Sequence, residues 1–131
     1  MLELVLIAPW IFLLFIGALD WGFYASALVS LQAGVRSAAL YTSGGGTGVA
    51  SNQATACTII LKEIRKLPNI GDAVTTCGSN PVVTAEAISG PDGADATRVS
   101  VTYQSISLVP IPGLLRKQFT VTRTVTMRVR S

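Results

Sequence analysis

The sequence predicts an α+β protein: a long N-terminal α-helix, apolar in its first half, with a small head of one short helix and an antiparallel sheet of about three strands. Three observations lead there. Residues 2 to about 41 are dominated by Ala and Leu and hold few turn signals after Pro9, the pattern of one continuous helix. Residues 52–67 repeat apolar side chains at helical spacing. Beyond Asn80 the apolar period falls to two, as in half-buried strands. The chain divides accordingly into a helix at 1–41 and a head at 42–131. Only 13% of the 131 residues are charged, against about 25% in an ordinary soluble protein, and the apolar excess lies in the first forty.

The helix has two characters. From Leu4 to Leu19 no residue is charged, and Trp10, Phe12, Phe15 and Leu19 stand among the aliphatics. A helix apolar all round meets lipid or other helices on every side. Forty residues make a rod of roughly 60 Å, about twice the hydrocarbon thickness of a bilayer. From Leu28 onward, Leu31, Val35 and Ala38 or Ala39 recur at helical spacing with Ser30, Gln32, Arg36 and Ser37 between them, so this half is fit to pack on the head. A cleaved secretory signal is not expected, because a basic n-region and an A-x-A-like site are missing from the run. Pro9 removes a hydrogen bond and clashes with the carbonyl of Val5. It reads either as an ordinary membrane-helix kink or as a local softening of the rod.

Glu3, at the tip of the run, raises a sharper question. A carboxylate beside such a stretch is costly unless it faces water, is protonated, or meets a cation.

Residues 42–51 begin TSGGGTG and read as a flexible glycine-rich linker, because the Gly-Lys-Ser/Thr ending of a phosphate-binding loop is missing. In the helix at 52–67, Cys57, Ile60, Leu61, Ile64 and Leu67 share a face, with Asn52 as N-cap and Pro68 as stop. The β-rich region spans 80–131. Val82 to Ile88 is a strand and GPDGAD a turn. Arg98 to Val109 alternates and then shifts face at Ile106 and Leu108, as at a bulge. In Lys117 to Arg130 the residues Phe119, Val121, Val125, Met127 and Val129 share one face, and Thr120, Thr122, Thr124, Thr126, Arg128 and Arg130 the other. Arg123 falls on the apolar side and needs a partner or an edge position. The apolar VPIPGLL at 109–115 reads as tucked into the core or as a sticky contact surface.

Several chemistries are excluded. With no histidine the commonest general base is missing, and no nucleophile elbow or carboxylate pair stands out. We expect no enzyme, no cofactor and no metal site; Asp92 and Asp95 fall short of an EF-hand loop. The net charge of +3 rests largely on basic residues near the C-terminus, Arg116, Lys117, Arg123, Arg128 and Arg130. They alternate with Thr and Val, so a solvated strand face is expected rather than a nucleic-acid surface. Cys57 and Cys77, twenty apart, read as one disulfide formed in an oxidising compartment, against the alternative of two buried free thiols.

The stretch ELVLIAPWIFLLFIGALDWGFYASALVSLQAGVRSAALY at 3–41, and more weakly VSVTYQSISLVP and TVTRTVTMRVR, resemble the type IV pilin and pseudopilin superfamily, most closely the TadE-like pilins of tight-adherence pilus systems. The shared order is an early glutamate, a proline-containing apolar run, an acidic-aromatic pair (here Asp20-Trp21), an alanine-rich segment and a closing hairpin. The resemblance implies a bacterial structural subunit, processed by a prepilin peptidase and held in the inner membrane, then polymerised by assembly machinery into an extracellular filament on the cell surface. Its partners would be copies of itself in a helical homopolymer. It implies a filament core of stacked helices using Leu4, Trp10, Phe12, Phe15 and Leu19. It also implies a charge pair between Glu3 and a neighbour's N-terminal amine at Met1, with the head outward and carrying any adhesion. A minor pilin or pseudopilin that primes or caps a filament, and a bitopic membrane protein with a periplasmic binding domain, are the alternatives. In most type IV pilins the glutamate is the fifth mature residue, and here it is the third. No leader or processing glycine precedes Met1, so processing is implied by the resemblance alone.

Overall fold

A computed structural model describes residues 2–106 and 119–130, with side chains from Val5 onward except that of Thr47. Met1, the VPIPGLL stretch, Leu108, Arg116, Lys117 and the side chains of Glu3 and Leu4 therefore lie outside the described set. The element order is helix α1 (Leu2–Gly44), α2 (Thr47–Ala50) and α3 (Gln53–Ile64), followed by strands β1 (Val82–Ser89), β2 (Asp95–Gln104) and β3 (Thr120–Arg128). The α+β arrangement is the expected one: a long N-terminal helix and a head of short helix and three-stranded antiparallel sheet.

Helix α1 runs unbroken through Pro9 for 43 residues, roughly 65 Å at 1.5 Å per residue. It continues past Tyr41 because Thr42 and Ser43 satisfy their hydroxyls within the helix. Thr42 Oγ1 donates back to the Ala38 and Ala39 carbonyls at 3.1 and 3.2 Å, and Ser43 Oγ to the Leu40 carbonyl at 2.9 Å. Such back-bonding lets polar side chains end a helix without a cap. The linker reading of 42–51 is thus corrected. Residues 42–44 belong to α1 and 47–50 form a helical turn, leaving a sharp corner at Gly45-Gly46. A Cβ on Gly45 would lie 2.6 Å from the Val49 side chain, and Gly46 has φ +72°, so both positions need glycine.

Helix α3 starts at Gln53 with Asn52 as its N-cap, as expected; the Asn52 side chain accepts from the Thr55 N–H at 3.1 Å. It stops at Ile64, before the expected Leu67, because Pro68 cannot supply an N–H and disfavours helical geometry just before it. The chain still turns through Leu67, whose N–H bonds the Ile64 carbonyl at 2.9 Å. The expected apolar face of Cys57, Ile60, Leu61, Ile64 and Leu67 is buried throughout.

The sheet order is β1-β2-β3, both pairs antiparallel. At the first connection Gly93 takes φ +75° and Asp92 Oδ1 accepts from the Ala94 N–H at 3.3 Å. Asp92 also pairs with Arg128 at 3.3 Å, so its carboxylate serves the turn. The expected bulge in the second strand is not found: Asp95–Gln104 pairs residue for residue, and Ile106 lies beyond the strand end. Arg123 has its edge position, exposed on β3 opposite Val101.

One core joins the two parts of the chain. Leu31, Val35, Ala38 and Ala39 from α1 meet Ile60 and Ile64 from α3 and Val83, Val99, Val101 and Val121 from the sheet. Gly34 lets the helices approach, since a Cβ there would sit 3.4 Å from Glu63 Cβ and 3.5 Å from Ile60 Cα. Buried Thr97 donates to the Ala50 carbonyl at 2.7 Å and lies 3.1 Å from the Thr42 hydroxyl, so the polar atoms at this seam are satisfied. On the outer face Ser100 and Thr124, and Thr102 and Thr122, form hydroxyl pairs at 2.9 and 3.1 Å.

Cys57 and Cys77 form a disulfide with 5.8 Å between their Cα atoms. It ties the irregular stretch between α3 and β1 back to a buried face of α3. Closing a loop of that length restrains the unfolded chain by roughly 3 kcal/mol. The Cys57→Ala/Cys77→Ala double variant is therefore expected to lose about that much stability. A denaturant titration of the detergent-solubilised chain, with and without reductant, checks it; reductant should lower the midpoint of the parent and leave the variant unchanged.

Candidate membrane segment and assembly surface

The side chains of Val5 to Phe15 stand clear of the head. Leu6, Trp10 and Leu14 are each at least 70% exposed, and Phe12, Phe15 and Leu19 are exposed as well. These residues point in all directions around α1, so the surface is an apolar cylinder and not a stripe. Within Val5–Gly44 a window of mean hydropathy 1.9 contains no buried residue. The helix is long and apolar enough to cross a membrane. The change of character comes between Tyr24, the first side chain packed against the core, and Ala27, the first buried residue: beyond them one face of α1 belongs to the core.

Two acidic residues bracket the apolar run in the sequence. Glu3 and Asp20 are seventeen residues apart, or about 25 Å along the axis. Glu3 lies in the first turn of α1 and Asp20 at the base of the head. Trp10, Phe12, Phe15 and Leu19 lie on the exposed cylinder between them. Pro9 sits in the same stretch, with the helix continuous on both sides.

The base of the head carries a feature that sequence patterning did not bring together. Trp21 and Tyr24, one turn apart on α1, meet edge to face with ring centroids 6.0 Å apart, and Tyr24 meets Phe119 at 5.3 Å. Phe119 was expected on the apolar face of the last strand. It lies just before β3, half exposed, and stacks against the long helix instead. A groove of about 340 Å³ opens here between α1 and the head, lined by Asp20, Trp21 and Tyr24 on one side and Pro68, Tyr103 and Phe119 on the other. Trp21 and Tyr24 stand at i, i+3 on one helix. The third ring comes from a residue ninety-five positions away, and only the fold could supply it.

Tyr103 forms the inner wall. Its ring is 1% exposed, its hydroxyl donates to Asn69 Oδ1, and Asn69 in turn donates to the Gln104 carbonyl at 2.7 Å. Burial pushes the Tyr103 phenol above its usual range, opposed by the Asn69 hydrogen bond. Because the folded pKa is raised, the unfolded chain releases this proton first. The associated stability is complete below the unfolded tyrosine value of about 10 and is lost as pH rises from there through the folded pKa. Tyr103→Phe should remove that part of the alkaline destabilisation. Melting curves at pH 9 and pH 11 for the two proteins check it; equal losses in both would show that Tyr103 carries none of it.

Residues 1–40 match the family model described as TadE-like protein. The match supports the resemblance to TadE-like pilins drawn from residues 3–41, and it covers the long helix, not the head. The matched family is a structural one. No curated protein and no solved structure matches the chain.

Proposed function

We propose that this chain is a structural pilin subunit. It is anchored in the inner membrane by the first half of α1 and then polymerises through that same segment into an extracellular filament of the type IV pilus kind. The observation that carries this reading is the apolar cylinder formed by the side chains of Val5 to Phe15, exposed around the helix and continuous with a half-helix locked into the head, in the stretch that matches the TadE-like family. A helix apolar all round is at home in lipid, and the same surface can pack against copies of itself once withdrawn. In the filament, the stretch from Leu4 to Leu19 would form the core, and Glu3 would pair with the N-terminal amine of a neighbour to set axial register. The head would face outward and carry any adhesion. Passage from membrane to filament would involve a prepilin peptidase and the pilus assembly machinery. The role requires no catalytic group.

Electron microscopy of material sheared from producing cells, with mass spectrometry of the subunits, tests this directly. Thin uniform filaments made mainly of this chain are the expected result. Filaments containing it in trace amounts would assign it as a minor pilin that primes or caps a filament of another subunit. Protein left wholly in the membrane, with no filaments, would overturn polymerisation and favour a bitopic protein with a periplasmic binding domain.

A further inference from the structure

We infer that the groove at the base of the head binds the headgroup of a phospholipid bearing an ammonium ion, seating the head on the bilayer before assembly. The inference rests on the reading of α1 as a membrane span. Three lines of geometry and charge lead to it.

The first is depth. The run from Leu4 to Leu19 is uncharged, and positions 3 and 20 are about 25 Å apart along the helix axis, close to the hydrocarbon thickness of a bilayer. Charged side chains stay out of hydrocarbon where they can. The membrane surface on the head side therefore falls at Asp20, which is a wall of the groove. Trp21 is 73% exposed and Phe119 51%. They stand at the level where aromatic side chains collect at membrane surfaces. The groove is thus continuous with the apolar surface of the span and opens into the headgroup layer.

The second is charge. Asp20 is half buried, and it forms no ion pair among the described residues. Along α1 the next basic residue is Arg36, sixteen positions on and about 24 Å away along the axis; Arg65, beside the groove wall at Leu67 and Pro68, pairs with Asp72, and Arg116 and Lys117 lie outside the described residues. A partly desolvated carboxylate gains from a cation, and the headgroup layer can supply one.

The third is the character of the remaining wall. Trp21, Tyr24 and Phe119 line the groove together with Asp20, the rings in mutual contact. Aromatic faces around an anionic group are the arrangement that holds ammonium ions by cation–π attraction. Pro68 and Tyr103 close the side toward the head, and the volume of about 340 Å³ lies within the range of small-ligand sites.

The test uses the full chain reconstituted into vesicles of phosphatidylglycerol with increasing phosphatidylethanolamine. Trp10→Phe leaves Trp21 as the sole tryptophan, so its emission reports on the groove. A saturable change with phosphatidylethanolamine is expected, together with strongest quenching by a headgroup-level spin label. Asp20→Asn in the same background should weaken the response by at least about fivefold. A photoreactive p-benzoylphenylalanine at position 119 should add the mass of one phospholipid. An identical response in pure phosphatidylglycerol would overturn the inference. So would cross-links from position 119 to a second copy of the chain, or to residues 107–118 of the same chain. Alkaline extraction separates the two levels. A chain that resists extraction while Trp21 fails to respond loses only the headgroup site, and a chain that is extracted loses the membrane span with it.

Discussion

Glu3→Ala is expected to abolish filament assembly while leaving membrane insertion intact. The uncharged run from Leu4 to Leu19 supplies the adhesion to lipid, and removing an acid from its tip makes insertion easier, not harder. Assembly is different. Apolar cylinders slide past one another with little preference for one offset, because dispersion and hydrophobic contacts are not directional. In the proposed filament, a charge pair between Glu3 and a neighbour's amine would fix the offset. Once such a pair is buried, deleting one member leaves the other without its partner at a cost of about 3–5 kcal/mol. That lowers each subunit addition by at least about a hundredfold. The check is a sheared-filament assay beside a membrane-fraction assay for the parent and the variant. Normal filaments from Glu3→Ala would sink the register model. Glu3→Asp sharpens the test, since it keeps the charge but shortens the reach and should restore assembly partially.

The second large effect is expected from Leu31→Ala. Leu31 is completely buried and sits in the cluster where α1 meets Ile60 and Ile64 of α3 and Val99 and Val101 of the sheet. Truncation removes three carbons, Cγ and its two methyls, from a site walled by two rigid helices and a strand, so the space cannot collapse fully. Large-to-small changes of this kind cost about 2–5 kcal/mol, and the close helix contact at Gly34 places Leu31 toward the upper part of that range. The head and the helix should come apart together, because the core has no separate half. Denaturant unfolding of the solubilised chain should show one transition moved to a lower midpoint with an unchanged slope. A change below about 1 kcal/mol would mean that α1 is dispensable to the head. Leu6→Ala, on the exposed cylinder, serves as the control and should leave the midpoint in place.

What patterning could reach depended on the range of the signal. The helical face of α3 and the buried half of α1 were legible residue by residue, because a period of 3.6 in Leu31, Val35 and Ala38 is imposed by local geometry. The last strand was legible for the same reason, with a period of two from Phe119 to Val129. Its neighbour misled, since the face shift at Ile106 looked like a bulge when it was only the strand's end. The glycine-rich corner misled in the other direction. Glycine suggests freedom, yet Thr42 and Ser43 bonded back into α1, and Gly45 and Gly46 were needed for a tight turn.

The sequence by itself determined the division of labour in this protein. Sixteen uncharged residues bounded by Glu3 and Asp20 specify an apolar rod whatever follows, because hydropathy is a property of the residues and not of their neighbours. It also determined the faces of both long helices and the alternation of the strands. Only the tertiary structure decided what meets across the chain. The disulfide partners stood as two readings until α3 and the stretch before β1 came together. Likewise the groove at the base of the head needs Tyr24 and Phe119 in contact. Contacts at such separation depend on how the whole core packs, and no local spacing encodes them.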